Sequence, residues 1–410
     1  MTSSNCYVYL EHPHTGIWIT IGRYGQSDNA AGQFQYAKSY LGDPSSVAID
    51  PINLPLLPGL IPATRYQGLH DVIRDACPDS WGRTLIKREF GLTESAPHLS
   101  YLMKAGNADQ WGALAIGTSR QPSIAHLNNP KLPELEALVL ELTAMSDRLP
   151  AINAKLRRKI LSTPSLGGAR PKATVQDHQI FWLAKPVLSS DVFDVPLLEH
   201  AMQQWASATG MNFAQTQYIS FSDTKGTGLS VLLSSRFDRV QGRRRMVLSA
   251  ASMLQAEYPN STVEQTSRWS YPRLSDALAQ IGVPRQDQIE LFNRMVFNAV
   301  IGNDDDHPRN HAAIYVPEEQ RWRLAPAFDV VPETAFMPQK LSMILGESST
   351  TISRANILAD ALRFGFANMD QAQSHLDAFL HQLRVTYERI QPILTDSMNQ
   401  LMLDRIDRTW

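Results

Sequence analysis

Asn303-Asp304-Asp305-Asp306-His307-Pro308-Arg309-Asn310 sets three consecutive carboxylates, a histidine and an asparagine directly after an apolar run. In that run, Ile289 to Ile301, the residues Phe292, Met295, Val296, Ala299 and Val300 recur at the spacing of one buried helix face. Gly302 stands where a glycine commonly ends a helix. Like charges packed this closely repel one another unless something cationic sits among them, so an acidic loop leaving a core helix needs a reason. Asp329, in Leu324-Ala325-Pro326-Ala327-Phe328-Asp329-Val330, offers a further carboxylate from an otherwise apolar segment, suited to binding a metal together with the loop.

A chain of 410 residues exceeds one ordinary core, so two or three packed units are expected. A composition that is 43% hydrophobic and 19% charged is that of a folded soluble protein. The net charge of −2 provides no global basic field for nucleic acid. Cys6 and Cys77 are the only cysteines, which excludes a disulfide framework and a Cys-rich zinc site. Met1 to Leu10 lacks a basic-then-apolar signal pattern, and no run of about 18 apolar residues occurs. The expectation is a cytoplasmic globular protein with no membrane partner.

Along the chain, Cys6 to Leu10 and Ile17 to Ile21 alternate as strands around the turn His12-Pro13-His14-Thr15-Gly16, and Phe34 to Leu41 reads as a third strand. Pro51, Pro55, Pro58 and Pro62 forbid a continuous helix or central strand. Pro78-Asp79-Ser80-Trp81-Gly82-Arg83 opens a helix that Gly91 closes. Pro133 begins another, with Leu135, Leu138, Val139 and Leu142 on one face. Ile180-Phe181-Trp182-Leu183-Ala184-Lys185 is strand-like. Val231-Leu232-Leu233 leads into Arg236-Phe237-Asp238-Arg239, a turn at Gln241-Gly242 and a return through Met246-Val247-Leu248. The run Arg243-Arg244-Arg245 in that hairpin reads as solvated. From Ser275 the pattern is helical, apart from strand-like Ala312 to Val316 and Arg321 to Leu324. Ala372 to Ile406 reads as one or two amphipathic helices. The order predicts an α+β chain: an N-terminal α+β subdomain over 1–125, a β-rich nucleotide lobe over 126–240, and an α-helical lobe over 241–410 that carries the acidic loop.

Phosphoryl transfer requires donors that hold phosphates, a lysine, metal-binding carboxylates and a group that orients the attacking hydroxyl. The separation of Asp305 and Asn310 is that of H-R-D-x-x-x-x-N, the catalytic loop of protein kinases. Asp305 would accept the hydroxyl proton. Asn310 and Asp329 would hold Mg²⁺, which favours one or two protein oxygens plus phosphates. His307 suits a supporting hydrogen bond better than catalysis. Ser165-Leu166-Gly167-Gly168-Ala169-Arg170-Pro171-Lys172 suits a loop that covers phosphates, because paired glycines admit close backbone approach. Arg170 and Lys172 would add positive charge there, although the same pattern fits a basic surface loop. Lys185, ending a strand, suits contacts with the α- and β-phosphates, and equally a solvated strand terminus. Arg236-Phe237-Asp238 suits a hinge whose backbone meets adenine and whose Phe237 packs on it, or an ordinary strand end with an Arg–Asp pair. A calcium loop is disfavoured, since D-x-[DN]-x-[DN]-G-x₅-E is absent.

At these residues the chain resembles the HipA family of bacterial serine/threonine kinases, the toxins of type II toxin–antitoxin pairs. Three motifs carry the resemblance: the glycine loop 165–172, the stretch Gly302 to Asn310, and Ala325-Pro326-Ala327-Phe328-Asp329. Pro78 to Arg83 also resembles the segment that ends the family's first subdomain. The resemblance implies a two-lobed protein-kinase-like fold with Asp305 as catalytic aspartate and Asn310 and Asp329 as magnesium ligands. It further implies ATP contacts at Gly167, Gly168, Ala169, Arg170, Lys172, Lys185, Arg236, Phe237, Asp238 and His307. Ser165 matches the serine that such kinases autophosphorylate, a change that places nearly two negative charges where ATP must bind. The family implies a helix-turn-helix antitoxin, with DNA reached only through it. It also implies a protein substrate that is an aminoacyl-tRNA synthetase or another translation factor.

The chain departs from that pattern at Ser235, where some relatives place a hinge glutamate, and at Leu248-Ser249-Ala250-Ala251-Ser252, where the best-known toxins are more acidic. No glutamate is identified as the partner of Lys185. Two alternatives remain at this stage: a kinase acting on a small molecule, and a catalytically weak kinase-fold protein that works through an antitoxin and DNA.

Overall fold

The computed structural model describes residues 4–26, 32–63, 65, 68–93, 95–162, 168, 170–221, 228–257 and 266–407. Ser165, Gly167 and Ala169 lie outside the described residues. The chain forms two compact units, each assembled from separated segments. The first comprises Met1–Pro186, Ser235–Leu248 and Ile314–Gln320; the second comprises Val187–Ser234, Ser249–Ala313 and Arg321–Trp410.

In the first unit, β1 (Ser4–Glu11), β2 (Trp18–Gln26), β3 (Gly32–Tyr36), β4 (Ile61–Ala63) and β5 (Leu114–Gly117) form an antiparallel sheet ordered β4-β3-β2-β1-β5. β3 alternates strictly, with Phe34 and Tyr36 inward and Gln33 and Gln35 outward. Central β1 instead buries Val8, Tyr9 and Leu10 in succession. The strand expected over Phe34 to Leu41 ends at Tyr36, and Lys38–Leu41 is a helical turn. That turn lays the Tyr40 ring on Tyr36, with centroids 5.9 Å apart, and the stacked pair closes the core where the strand would have run on.

Among the helices that follow are α1 (Ser80–Phe90), α2 (Leu135–Ser146) and α3 (Ala154–Ser162). Asp79 caps α1 by accepting from Gly82 N at 3.0 Å, and Gly91 ends it at φ 64°, a conformation that glycine adopts without a Cβ clash. Leu135, Leu138, Val139 and Leu142 of α2 are all buried. β6 (Ala173–Asp177) and β7 (Ile180–Pro186) pair around the tight turn His178-Gln179.

A two-strand hairpin pairs Arg239–Val240 with Arg243–Arg244 across Gln241 and Gly242, both at positive φ as a type I′ turn requires. The arginine run here is not uniformly solvated, which corrects the expectation from sequence. Arg244 is buried, donating to the carbonyls of Leu114 at 3.3 Å and Asn107 at 2.8 Å, while its guanidinium lies 4.9 Å from the Trp18 ring centre. It also donates to Ala108 O, and three carbonyls and an aromatic face replace the water it gives up.

The second unit is mainly helical. It contains α4 (Val195–Ala208), the hairpin β8 (Thr216–Phe221) and β9 (Leu229–Ser235), then α5 (Tyr271–Gln280), α6 (Arg285–Ile301), α7 (Met369–Tyr387) and α8 (Asp396–Ile406). α6 is buried continuously from Arg294 to Ile301, a core helix rather than a surface one. Fully buried Trp205 of α4 packs its ring 5.2 Å from Phe297 and 5.1 Å from Tyr387, and its indole N–H donates to Leu383 O at 3.1 Å. Each such side chain removed from water contributes about 1.5–3 kcal/mol, so α6 is the rigid post of this unit. Among the described residues no helix is long and apolar enough to cross a membrane.

Candidate active site

α6 ends at Gly302, whose φ of 67° turns the chain sharply into the acidic loop. A Cβ at Gly302 would lie 2.9 Å from Arg405 Nη1 and 3.0 Å from Pro338 Cδ. Arg405, reaching from α8, donates to the carbonyls of Ile301 and Glu333, and its cation sits at the negative end of the α6 dipole. Glu333 N donates to Gly302 O at 3.0 Å and Asn303 N to Asn298 O at 2.9 Å. The loop's entry is thereby fixed on both sides.

The three aspartates then diverge in environment. Asp306 is buried, and its Oδ2 accepts from Tyr271 Oη, from Asn298 Nδ2 at 3.0 Å and from His311 Nε2 at 2.8 Å. Asp305 is exposed. The protein nonetheless displaces water from one side of its carboxyl, and Asp329, Asp304 and Asp306 add negative charge, so its pKa is pushed up to about 6. Asp304 is also raised, by partial burial and by Glu333. Burial pushes His307 down to about 4, leaving the ring neutral at pH 7 and unfit as an acid there. Buried Asn310 approaches Asp305 O with its Nδ2 at 3.5 Å.

Asp329 is carried by a segment with its own anchors. Buried Arg294 of α6 donates to Ala325 O and Asn212 O, each at 2.9 Å. Ala327 N donates to Asn212 O and Ala214 N to Ala327 O, again at 2.9 Å. Asp329 itself takes φ 60°, a left-handed conformation uncommon outside glycine and held only where surroundings dictate it. The second unit thus brings Asp305, His307, Asn310 and Asp329 together.

The other candidate residues belong to the first unit. Gly168, at φ 79°, and Lys172 are tied to α1 by one residue: the Trp81 backbone N–H donates to Gly168 O at 3.3 Å and its indole Nε1 to Lys172 O at 3.2 Å. Lys172 and Lys185 are buried, and Arg170 is half-buried. Arg236 N donates to Phe181 O on β7 at 2.8 Å. The Arg236 guanidinium engages Asp109, Thr174 Oγ1 at 3.2 Å and both oxygens of Asp238, at 3.0 and 2.8 Å. Asp238 also accepts from Arg239 Nη1 at 2.7 Å and from Gly112 N at 2.9 Å. Burial alone would raise this carboxyl, but Arg236 and Arg239 outweigh it and hold Asp238 well below the usual range. Both charged side chains of the 236–238 segment are therefore enclosed in an ion network, the Arg–Asp pair left open by the sequence. Half-buried Phe237 meets the Trp111 ring edge-on at 6.5 Å.

Reasoning from sequence missed Tyr271, Asn298, His311, Arg294, Arg405 and Trp81. Tyr271, Arg294, Arg405 and Trp81 act across long chain separations, whereas Asn298 and His311 reach Asp306 from eight and five residues away. Only the Pro78 to Arg83 motif gave any signal, and only for Trp81.

Comparison with known proteins shows the family and the fold. Residues 17–117 match the HipA N-terminal domain and residues 164–402 the HipA-like C-terminal domain. A stretch of 137 residues is 26% identical to the Haemophilus influenzae protein named "Putative kinase", covering 32% of this chain and 40% of that protein. Another of 176 residues is 25% identical to "Putative kinase Y4dM" of Sinorhizobium fredii, covering 41% of each. The matches thus span about two fifths of the length of these curated relatives. In fold, the chain is similar to one from the Shewanella oneidensis MR-1 toxin–antitoxin complex of HipA, HipB and operator DNA. The TM-score is 0.70 at 14% identity, over 98% of this chain and 97% of that one. With both halves of the family pattern present in order, the chain belongs to the HipA family.

Proposed function

We propose that this chain is a HipA-type kinase toxin that transfers the γ-phosphoryl group of ATP to a serine or threonine hydroxyl of a protein. The observation that carries the reading is the contrast between adjacent aspartates: Asp306 is buried and fully engaged, whereas Asp305 is exposed beside Asp329 with its proton affinity raised. An exposed carboxylate titrating near 6 is ionised at cytoplasmic pH and remains basic enough to accept a hydroxyl proton. The hydroxyl oxygen forms a bond to the γ-phosphorus, the bond from that phosphorus to the bridging oxygen breaks, and ADP leaves. Asp305 takes the proton.

Lys185, Gly168, Arg170 and Lys172 would hold phosphates, together with Gly167 and Ala169, while the backbone of 236–238 and Phe237 would meet adenine. Asn310 and Asp329 would hold Mg²⁺, and the crowding of Asp305 and Asp329 is the charge that a cation relieves. Among the described residues no group of three or more His, Cys, Asp or Glu side chains is placed to hold a metal. Magnesium needs no such cage when phosphates complete its shell. The bound ion would neutralise charge on the transferring phosphates. His307, neutral, would support the loop.

In this reading 1–125 is an appended subdomain, 126–240 the nucleotide lobe and 241–410 the catalytic lobe. Ser165 would be the autophosphorylated, self-inhibiting serine. A helix-turn-helix antitoxin would bind the chain and connect it to DNA, and the substrate in the cytoplasm would be an aminoacyl-tRNA synthetase or another translation factor. Mass spectrometry of the full chain before and after incubation with MgATP tests the reading. One added phosphate on Ser165, absent in Asp305→Asn, supports it. Failure of the chain to bind ATP in a thermal-shift assay would overturn it in favour of a non-catalytic, antitoxin-binding role.

A further inference from the structure

Within the first unit, α1, α2 and α3 enclose a cleft of about 580 Å³, within the range of ligand and peptide-anchor pockets. Leu85, Met145, Leu149 and Leu161 supply its apolar lining, and Arg88 and Arg148 are exposed at its rim.

The segment after α2 is built to present this cleft. Arg148 takes φ 58°, and Leu149 N donates back to Ala144 O at 2.8 Å, so the helix ends in a left-handed turn that glycine usually occupies. An arginine there carries backbone strain that a glycine would not. Glu141, wholly buried, accepts from Ile152 N at 3.0 Å, from Asn153 N at 2.7 Å and from Arg157 Nε. Arg157 in turn donates to Leu149 O at 3.1 Å and Pro150 O at 3.2 Å. A buried carboxylate thus fixes a loop whose Leu149 and Ile152 are 54% and 62% exposed. Apolar side chains held rigid in water are preorganised for a contact, because little ordering remains to be done on binding.

Charge selects the partner. Among the described residues neither Arg88 nor Arg148 forms an ion pair, Arg157 is engaged by Glu141, and Glu89 is the only acidic residue lining the cleft. Exposed Lys155 and Arg158 on α3 extend the positive surface, although the chain as a whole carries −2. None of the lining side chains is aromatic, so the cleft offers no platform on which bases could stack. We propose that this cleft docks an acidic peptide segment of a protein partner, with an aliphatic side chain in the cleft and carboxylates at Arg88 and Arg148.

The proposal does not draw on the phosphoryl-transfer reading. The test is fluorescence anisotropy of the full chain with a labelled hexapeptide, Glu-Glu-Leu-Leu-Glu-Glu. Binding is expected, weakened at least tenfold by Arg88→Glu combined with Arg148→Glu and unchanged by Arg384→Glu, an exposed charge reversal on α7. Asp305→Asn should bind the peptide like the parent chain. Equal melting temperatures would show that the variants fold, and both arginines, being exposed, should tolerate the change. Absence of peptide binding would overturn the proposal. So would equal losses in Arg384→Glu, or oligothymidylate binding with the same dependence on Arg88 and Arg148, which would make the cleft a nucleic-acid site.

Discussion

His311 Nε2 donates to Asp306 Oδ2 at 2.8 Å in a wholly buried setting, and Tyr271 and Asn298 donate to the same oxygen. Replacing Asp306 with alanine strands three donors at once, a loss of about 3–5 kcal/mol in urea denaturation, since each unmatched buried polar group costs about 1–3 kcal/mol. Asp305→Asn, one residue earlier, should cost nothing at pH 7. Equal destabilisation by the two would show that the aspartates have been assigned the wrong roles.

The raised pKa of Asp305, about 6 against an ordinary value near 3.8, has a definite sign. Protonation is favoured in the folded state, so ionisation destabilises the fold as pH rises through 6. Asp305→Asn should therefore raise the melting temperature at pH 8, by about 2 °C once solvent screening of an exposed group is allowed for, and leave it unchanged at pH 4. Phosphoryl transfer runs the other way, because the base must be ionised: the rate should fall as pH drops below about 6. Asp329→Asn removes one of the charges that raises this pKa, and NMR titration of the Asp305 carboxyl should then show it lowered.

Trp81→Phe keeps an aromatic ring, though a smaller one, and removes the indole N–H that holds Lys172 O at 3.2 Å. The expected cost is about 1–3 kcal/mol of stability, from the lost hydrogen bond and the smaller ring together, with a several-fold weaker apparent affinity for ATP and an unchanged maximal rate. A loss in kcat alone would place Trp81 outside phosphate binding.

Gly302→Ala meets two obstacles together, the left-handed φ of 67° and the Arg405 guanidinium 2.9 Å from the new Cβ. Destabilisation of about 1–3 kcal/mol is expected, measurable by thermal melting, with activity reduced further because the acidic loop begins here. Gly91→Ala offers a comparison with the same φ sign and open space around the Cβ, so it should cost no more than about 1 kcal/mol.

Features written in neighbouring residues were legible in the sequence. The apolar period of α6 with Gly302 after it, the Asp79 and Gly91 ends of α1, and the Gln241-Gly242 turn each follow from local rules, and each is present. Misreadings arose where a distant contact decided the outcome. The third strand stops early because Tyr40 packs on Tyr36, and Arg244 is buried because Leu114 and Asn107 supply carbonyls more than a hundred residues away. The acidic stretch announced itself as unusual and the spacing to Asn310 singled out Asp305, yet nothing in the stretch itself says that Asp306 faces inward. Tyr271, on a different helix, decides that.

The interleaving of the two units along the chain bears on how the protein is made. The last segment of the first unit is Ile314–Gln320, and the second unit still needs everything from Arg321 onward. A ribosome halted before residue 314 therefore leaves both units unfinished, and no truncated chain completes the second unit, which carries the acidic loop. For a chain proposed to harm translation, premature termination would yield inert debris instead of a fragment that still acts.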